Sequence, residues 1–284
     1  MPIWRSALHV LLVAAYSLTF FAVSVIEALG LAAAAAAAGG INAVAGGGTL
    51  VTFPTLLAFG TPAIIANATS TMALVLGTSG SVFGFRKHLP AVKQMLWLFT
   101  PPSILGGLIG SWWLTRTSDK TFAQLVPFLI LFATILFLSQ GALKRLQLIR
   151  LHQDGTMPRG WRLWAALFFQ FLVAIYGGYF GAGIGILMLA TLGFLGLSNI
   201  HEMNTVKTTI GSLINVVAAI LFVCAGLVDW PKAGVMTVGA ITGYFLGAHY
   251  SQRISQRGVR SLITIIGFTI SAVTFYEQFV AKHK

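Results

Sequence analysis

Acidic side chains are nearly missing from this chain: six Asp and Glu stand among 284 residues, against 18 Lys and Arg. Charged residues of both signs make up only 8%, where a water-soluble domain carries about 25%. A surface that faces water has to be clothed in charge, so this shortage excludes an ordinary soluble fold. Cysteine is reduced to Cys224, which excludes an internal disulfide and a cysteine metal cluster. Within its apolar run that residue reads as a small buried hydrophobe. The histidines, at 9, 88, 152, 201, 249 and 283, form no i,i+4 pair with a carboxylate, so a metal site has no support. No nucleophile, base and orienting group stand at a recognisable spacing, which argues against an enzyme and implies no cofactor.

What the chain has instead is apolar length, with 57% hydrophobic residues. A helix needs about 20 residues to cross a bilayer. Residues 8–38, 41–59, 62–85, 94–114, 121–143, 162–200, 208–228, 233–250 and 261–276 are candidates for full or partial passes, and the remainder is too little for a soluble domain. The reading is an all-α polytopic membrane protein whose main partner is the lipid bilayer. A net charge of +12 would suggest nucleic acid in a soluble protein. Here the bases lie between apolar spans, as cytoplasmic loops do under the positive-inside rule, and no nucleic acid is expected. Arg5 with the apolar run after it resembles a signal peptide, and the alanines at 32–38 imitate a cleavage region. The apolar stretch runs on without ending, so residues 1–23 read as an N-terminal extension or extra helix.

The chain also carries its own pattern twice. Shifted by 137 residues with no gap, Gly40, Gly46 and Gly48 fall on Gly177, Gly183 and Gly185. Under the same shift Asn67 falls on Asn204, Thr71 on Thr208, Gly106 on Gly243, Gly110 on Gly247 and Arg116 on Arg253. The expected organisation is a first transmembrane repeat at 24–143, a basic cytoplasmic linker at 144–160 and a second repeat at 161–284. The linker region holds Lys144, Arg145, Arg150 and Arg159, with Arg162 just beyond. Each repeat opens with a glycine-interrupted apolar stretch of about 36 residues, or about 54 Å as one helix, against a hydrocarbon core of about 30 Å. The glycines must break it, into two half-helices or into a hairpin. Counting each broken element once puts both termini with the 86–93 and 144–162 loops. Counting hairpins puts the termini on the other side and brings Arg253, Arg257 and Arg260 to the cytoplasm. An odd number of passes per half makes the repeats inverted and an even number makes them parallel.

Glycines inside a membrane span unwind a helix and free backbone amides, and the next half-helix adds a positive dipole end, an arrangement that suits an anion. Paired breaks in corresponding positions of two halves point to a transporter site between them. AGGGT at 45–49 and GAGIG at 181–185 look like phosphate loops, but neither follows a soluble strand, and the first has no lysine behind it. The pairs Gly106 with Gly110 and Gly243 with Gly247 read as close-packing GxxxG positions. Polar patches follow each break: ANATST at 66–71 and MNTVKTT at 203–209. In each, Asn and Thr four residues apart share a helix face. Lys207 stands where the first copy has Ser70, and a charge beside a span is functional by default. Snorkelling to the interface is its alternative, with Glu202 as a neighbour. Glu27 reads as an interfacial boundary, with proton carriage as the other option. The candidate substrate contacts are Asn42, Gly46, Gly47, Gly48, Asn67, Ser70, Thr71, Gly181, Gly183, Gly185, Asn204, Lys207 and Thr208.

The segment AGGINAVAGGGTLVTFPTLLAFGTPAIIANATSTMAL resembles the first signature of the TauE/SafE sulfite exporter family, also called the four-toluene sulfonate uptake permease family. GGYFGAGIGILMLATLGFLGL, HEMNTVKTTI and GLVDWPKAG resemble its second signature, so the likeness covers residues 24–280. The resemblance implies a multi-span inner-membrane transporter of sulfite, sulfonates, sulfoacetate or another small organic anion. It leaves export and uptake both open, with protons as a candidate coupling ion and a homodimer as a candidate assembly. An accessory membrane subunit without transport is the competing class, and it has no need of duplicated glycine breaks.

Overall fold

A computed structural model describes residues 23–44, 47–84, 86–149, 160–195, 197, 199–250 and 256–280, and among these residues it is helical without a strand. The first five helices are α1 (Val25–Val44), α2 (Thr49–Ala58), α3 (Ala63–Gly84), α4 (Leu89–Arg116) and α5 (Asp119–Ile149). The second five are α6 (Trp161–Tyr179), α7 (Ile184–Phe194), α8 (Ile200–Cys224), α9 (Trp230–Tyr250) and α10 (Gln256–Phe275), closed by a π-turn at Tyr276–Val280. Five of these are long and apolar enough to cross a bilayer, by stretches Val25–Ala43, Ala63–Val82, Asp119–Ser139, Trp161–Tyr179 and His201–Cys224.

Both broken elements are hairpins. In a continuous helix residues 38 and 48 would lie about 15 Å apart, yet Gly48 packs on the Ala38 carbonyl. Further back the missing side chain of Gly30 leaves room for the Phe59 ring, so α2 returns alongside α1. In the second half Ile184 of α7 packs on Gly177 of α6. Helices α2 and α7, of 10 and 11 residues, reach only about 15 Å, half the hydrocarbon thickness. Each hairpin therefore has one full-length arm and one half-length arm.

The order of contacts gives the directions. Gly239, Gly243 and Gly247 of α9 lie against Ala32, Ala36 and Gly40 of α1 in ascending register, so these helices are parallel. Gly106 and Gly110 of α4 lie against Phe171 and Ile175 of α6 in the same way. Both expected GxxxG pairs thus serve backbone-to-backbone approach, where a Cβ would collide with a carbonyl. Helices α3 and α8 are antiparallel: Ser79 meets Ser212 at 2.9 Å, and Thr69 accepts from the Asp229 amide at 3.0 Å. Helices α1, α3 and α9 therefore run one way and α4, α6 and α8 the other. With five helices before α6, the second set enters the membrane opposite to the first.

One end carries Arg86 and Lys87 in a turn, Lys93 at the start of α4, and Arg162 at the start of α6. By the positive-inside rule that end is cytoplasmic. Exposed Trp161 and Trp164 mark its interface, and Trp112 and Trp113 mark the opposite one, as aromatic belts do. Arg116 stacks over Trp112 at 5.5 Å in that outer belt. Cys224 departs from expectation. It is exposed in the last turn of α8, on a helix face bare of protein neighbours. Where a helix borders lipid, an apolar run is no sign of burial against protein.

Packing within the protein falls into two clusters. Phe53, Phe122, Phe137, Phe180 and Leu31 centre one, and Phe99, Val173, Met188, Ile210 and Ile214 the other. The first holds the outer hairpin α1–α2 in place and the second the inner hairpin α6–α7.

Candidate functional site

The two hairpin tips line one cavity of about 120 Å³. Gly47 and Asn42 come from the first tip, and Gly181, Gly183 and Gly185 from the second. Lys207, Thr208, Gly211, Ser212 and Asn215 of α8 form one wall, Thr78 and Ser81 of α3 another, and Thr49, Ile184 and Tyr244 complete the lining.

Local chemistry shapes each tip. Gly47, Gly181 and Gly183 have φ of 94°, 82° and 80°, left-handed values that only glycine adopts without strain. Asn42 accepts from the Gly48 amide at 2.7 Å, which satisfies an amide at the start of α2. The Tyr176 hydroxyl donates to the Ala182 carbonyl at 2.8 Å and fixes the second tip. Helices α2 and α7 both start at this cavity, so two positive dipole ends face it. Lys207 is the one charged side chain among the lining residues, and no carboxylate lines the cavity. Gly185 packs on the Lys207 stem, where a Cβ would come within 3.2 Å of Cδ. The cavity offers amide, hydroxyl and ammonium donors, and these are the groups an oxyanion binds.

Of the residues expected from the sequence, Asn42, Gly47, Gly181, Gly183, Gly185, Lys207 and Thr208 meet here. Gly46 lies outside the described residues. Gly48 points away, against Ala38. Asn67, Ser70, Thr71 and Asn204 do not line the cavity. Asn67 is buried and donates from Nδ2 to the Tyr179 carbonyl at 3.1 Å, Ser70 bonds Thr52 at 2.6 Å, and Thr71 donates to the Asn67 carbonyl of its own helix at 2.9 Å. The first polar patch thus packs helices together. Glu202 belongs to the start of α8, where it accepts from Asn199 at 3.0 Å. The residues missed were Thr49, Thr78, Ser81, Ser212, Asn215 and Tyr244. A signal for several existed, since Thr208, Ser212 and Asn215 follow helical spacing on one face. Thr78 also falls on Asn215 under the 137-residue shift.

A larger crevice of about 770 Å³ lies between α2, α5 and α10, lined by residues such as Val51, Pro54, Val126 and Ile270. Its walls are mainly apolar, with Thr55, Thr274 and Gln278 as their polar residues and no charged side chain.

Residues 31–274 match the family described as Sulfite exporter TauE/SafE. A probable membrane transporter protein of Haemophilus influenzae is 29% identical over 244 residues, covering 84% of this chain and 90% of that protein. The probable membrane transporter protein YfcA of Escherichia coli K12 is 25% identical, covering 85% and 87%. The probable membrane transporter protein ORF9 of a Sinorhizobium species is 25% identical, covering 84% and 88%. No solved structure matches. With its helices of membrane-spanning length and a match over most of its sequence, the chain belongs to the TauE/SafE family of multi-pass inner-membrane transporters.

Proposed function

We propose that the protein is a secondary transporter that exports a small sulfur-containing anion such as sulfite, a sulfonate or sulfoacetate. The observation that carries this reading is the cavity between the hairpin tips, with Lys207 as its single charge and two helix N-termini aimed into it. A sulfite or sulfonate group presents several acceptor oxygens, and the donor set described above complements them. A volume of about 120 Å³ lies below the ~300–1,000 Å³ of sites for drug-sized ligands, which favours an anion of few heavy atoms over an arylsulfonate. The described family name points the same way.

The mechanism in this reading is alternating access, with the two five-helix sets rocking about the shared cavity. Protons are the coupling ion. The cavity lining itself has no carboxylate to carry them.

Uptake and efflux of labelled sulfite, thiosulfate, sulfoacetate and an arylsulfonate in proteoliposomes test the proposal, with and without an imposed pH gradient. Saturable flux of the small anions, driven by the gradient, is the expected result. Absence of flux for every anion would leave the fold without its proposed function.

A further inference from the structure

We infer that Glu27, Thr61, Asp229 and Lys232 form an outer gate, and that the described conformation is closed at this end and open toward the cytoplasm. The inference rests on the transport reading and adds the sidedness of the state and the residues that hold it.

Lys232 Nζ of α9 forms an ion pair with Glu27 Oε1 of α1 at 2.8 Å and donates to Thr61 Oγ1 of the α2–α3 turn at 2.9 Å, with Asp229 Oδ2 at 3.9 Å. The side chains of Glu27 and Lys232 are only 16% and 15% exposed, so water screens the pair poorly. Thr69 of α3 accepts from the Asp229 amide at 3.0 Å. The contacts to Glu27, Thr61 and Thr69 join the first five helices to the second five, the Lys232–Asp229 pair lies within the second set, and all lie at the end opposite Arg86 and Lys87. An element that must part during alternating access is the place where such contacts can act as a latch.

Beneath this layer the path is plugged. Phe53 of α2 packs edge-on against Phe180 at the second tip, with centroids 5.3 Å apart, and Phe122 packs against Tyr179 at 5.6 Å. Asn67 and Ser70 are buried beside them, bonded to Tyr179 and Thr52. Under the 137-residue shift, Phe53, Phe122 and Phe180 fall on Ala190, Val259 and Ala43. Two of the three corresponding positions thus carry alanine and the third valine, none of them an aromatic ring. The cavity walls agree: Thr78, Ser79 and Ser81, nearest the cytoplasmic end of α3, are half-exposed, while residues 66–70 of the same helix are buried.

The test is thiol accessibility in proteoliposomes. Cys224, exposed near the outer end, is first replaced by Ser. Ala66→Cys then places a thiol at a fully buried position of α3 behind the gate, and Ser81→Cys places one at the cytoplasmic mouth. A membrane-impermeant maleimide added from the Glu27 side should label residue 66 slowly in the parent and at least tenfold faster in Glu27→Gln and Lys232→Met. Lys232→Arg, which keeps the charge, should stay slow. Labelling of residue 81 from the cytoplasmic side should be fast in the parent and fall in the two gate variants. Equal rates at residue 66 in all variants overturn the gate. The labelling needs no transported anion, so flux without a labelling response removes the gate alone. A labelling response without flux for any anion sustains the gate and removes the transport reading.

Discussion

The ring of Phe137 occupies the space into which a Cβ on Gly47 would project, and the same ring lies 3.7 Å from the Cβ position of Gly183. One α5 side chain therefore abuts both hairpin tips. The two glycines are not equivalent. Gly47 has a left-handed φ and no free volume, whereas Gly183 has a left-handed φ with ordinary spacing around it. Gly47→Ala should abolish transport at normal membrane insertion, and Phe137→Ala in the same chain should restore part of it. Gly183→Ala should cost only backbone strain of about 1–2 kcal/mol and keep measurable transport, while Gly183→Val, which is β-branched and bulkier, should not. Flux per inserted protein in these four variants is the measurement. Full activity in Gly47→Ala would refute a site at the tips.

The glycine positions show what could be read in advance. That each apolar stretch of about 36 residues must break at its glycines followed from helix length against bilayer thickness, because the argument needs only residue counts. Whether each break made a hairpin did not follow. That turns on contacts such as Gly30 with Phe59 and Gly48 with Ala38, which join residues distant along one element. The first polar patch misled for a related reason. Thr71 and Thr208 fall together under the shift, but inverted halves place equivalent residues in different surroundings, and of the two only Thr208 lines the cavity. Cys224 misled because lipid, like protein, accepts an apolar helix face.

Asn67 supplies the contrast. It bonds the Tyr179 carbonyl across the two helix sets and does not line the cavity. Asn67→Ala leaves a buried carbonyl unpaired, at about 1–3 kcal/mol. Thermal stability in detergent should fall while anion affinity in the surviving protein holds. A large loss of affinity at unchanged stability would restore Asn67 to the site.

Close packing of α1 on α9 makes a second stability prediction. A side chain on Gly243 would run into the Ala36 carbonyl, whereas Gly80 has nothing within 4 Å of its Cβ position. Overpacking costs about 1–3 kcal/mol, so Gly243→Val should lower the melting temperature markedly. Gly80→Ala should be neutral or stabilising by up to about 1 kcal/mol, from helix propensity. Fluorescence-detected unfolding of the two variants side by side checks this, and equal melting temperatures would argue against the parallel α1–α9 seam.

Lys207 decides whether the cavity is an anion site. Its position two turns inside α8 allowed either snorkelling or binding, and the structure puts it in the cavity wall, with its stem on Gly185. Lys207→Met keeps most of the stem and removes the charge, so packing should survive while binding weakens. Hydrogen bonds to a charged group contribute about 1.5–3 kcal/mol, which corresponds to a fall in affinity on the order of 10- to 100-fold. Lys207→Arg keeps the charge but brings a wider, planar head into about 120 Å³, and should retain partial transport. Gly185→Ala, pressing on the same stem, should lower affinity without removing any donor. Isothermal binding of sulfite and initial flux rates across these variants read out the charge and the fit separately. If Lys207→Met binds and transports as the parent does, the ammonium is not what attracts the substrate.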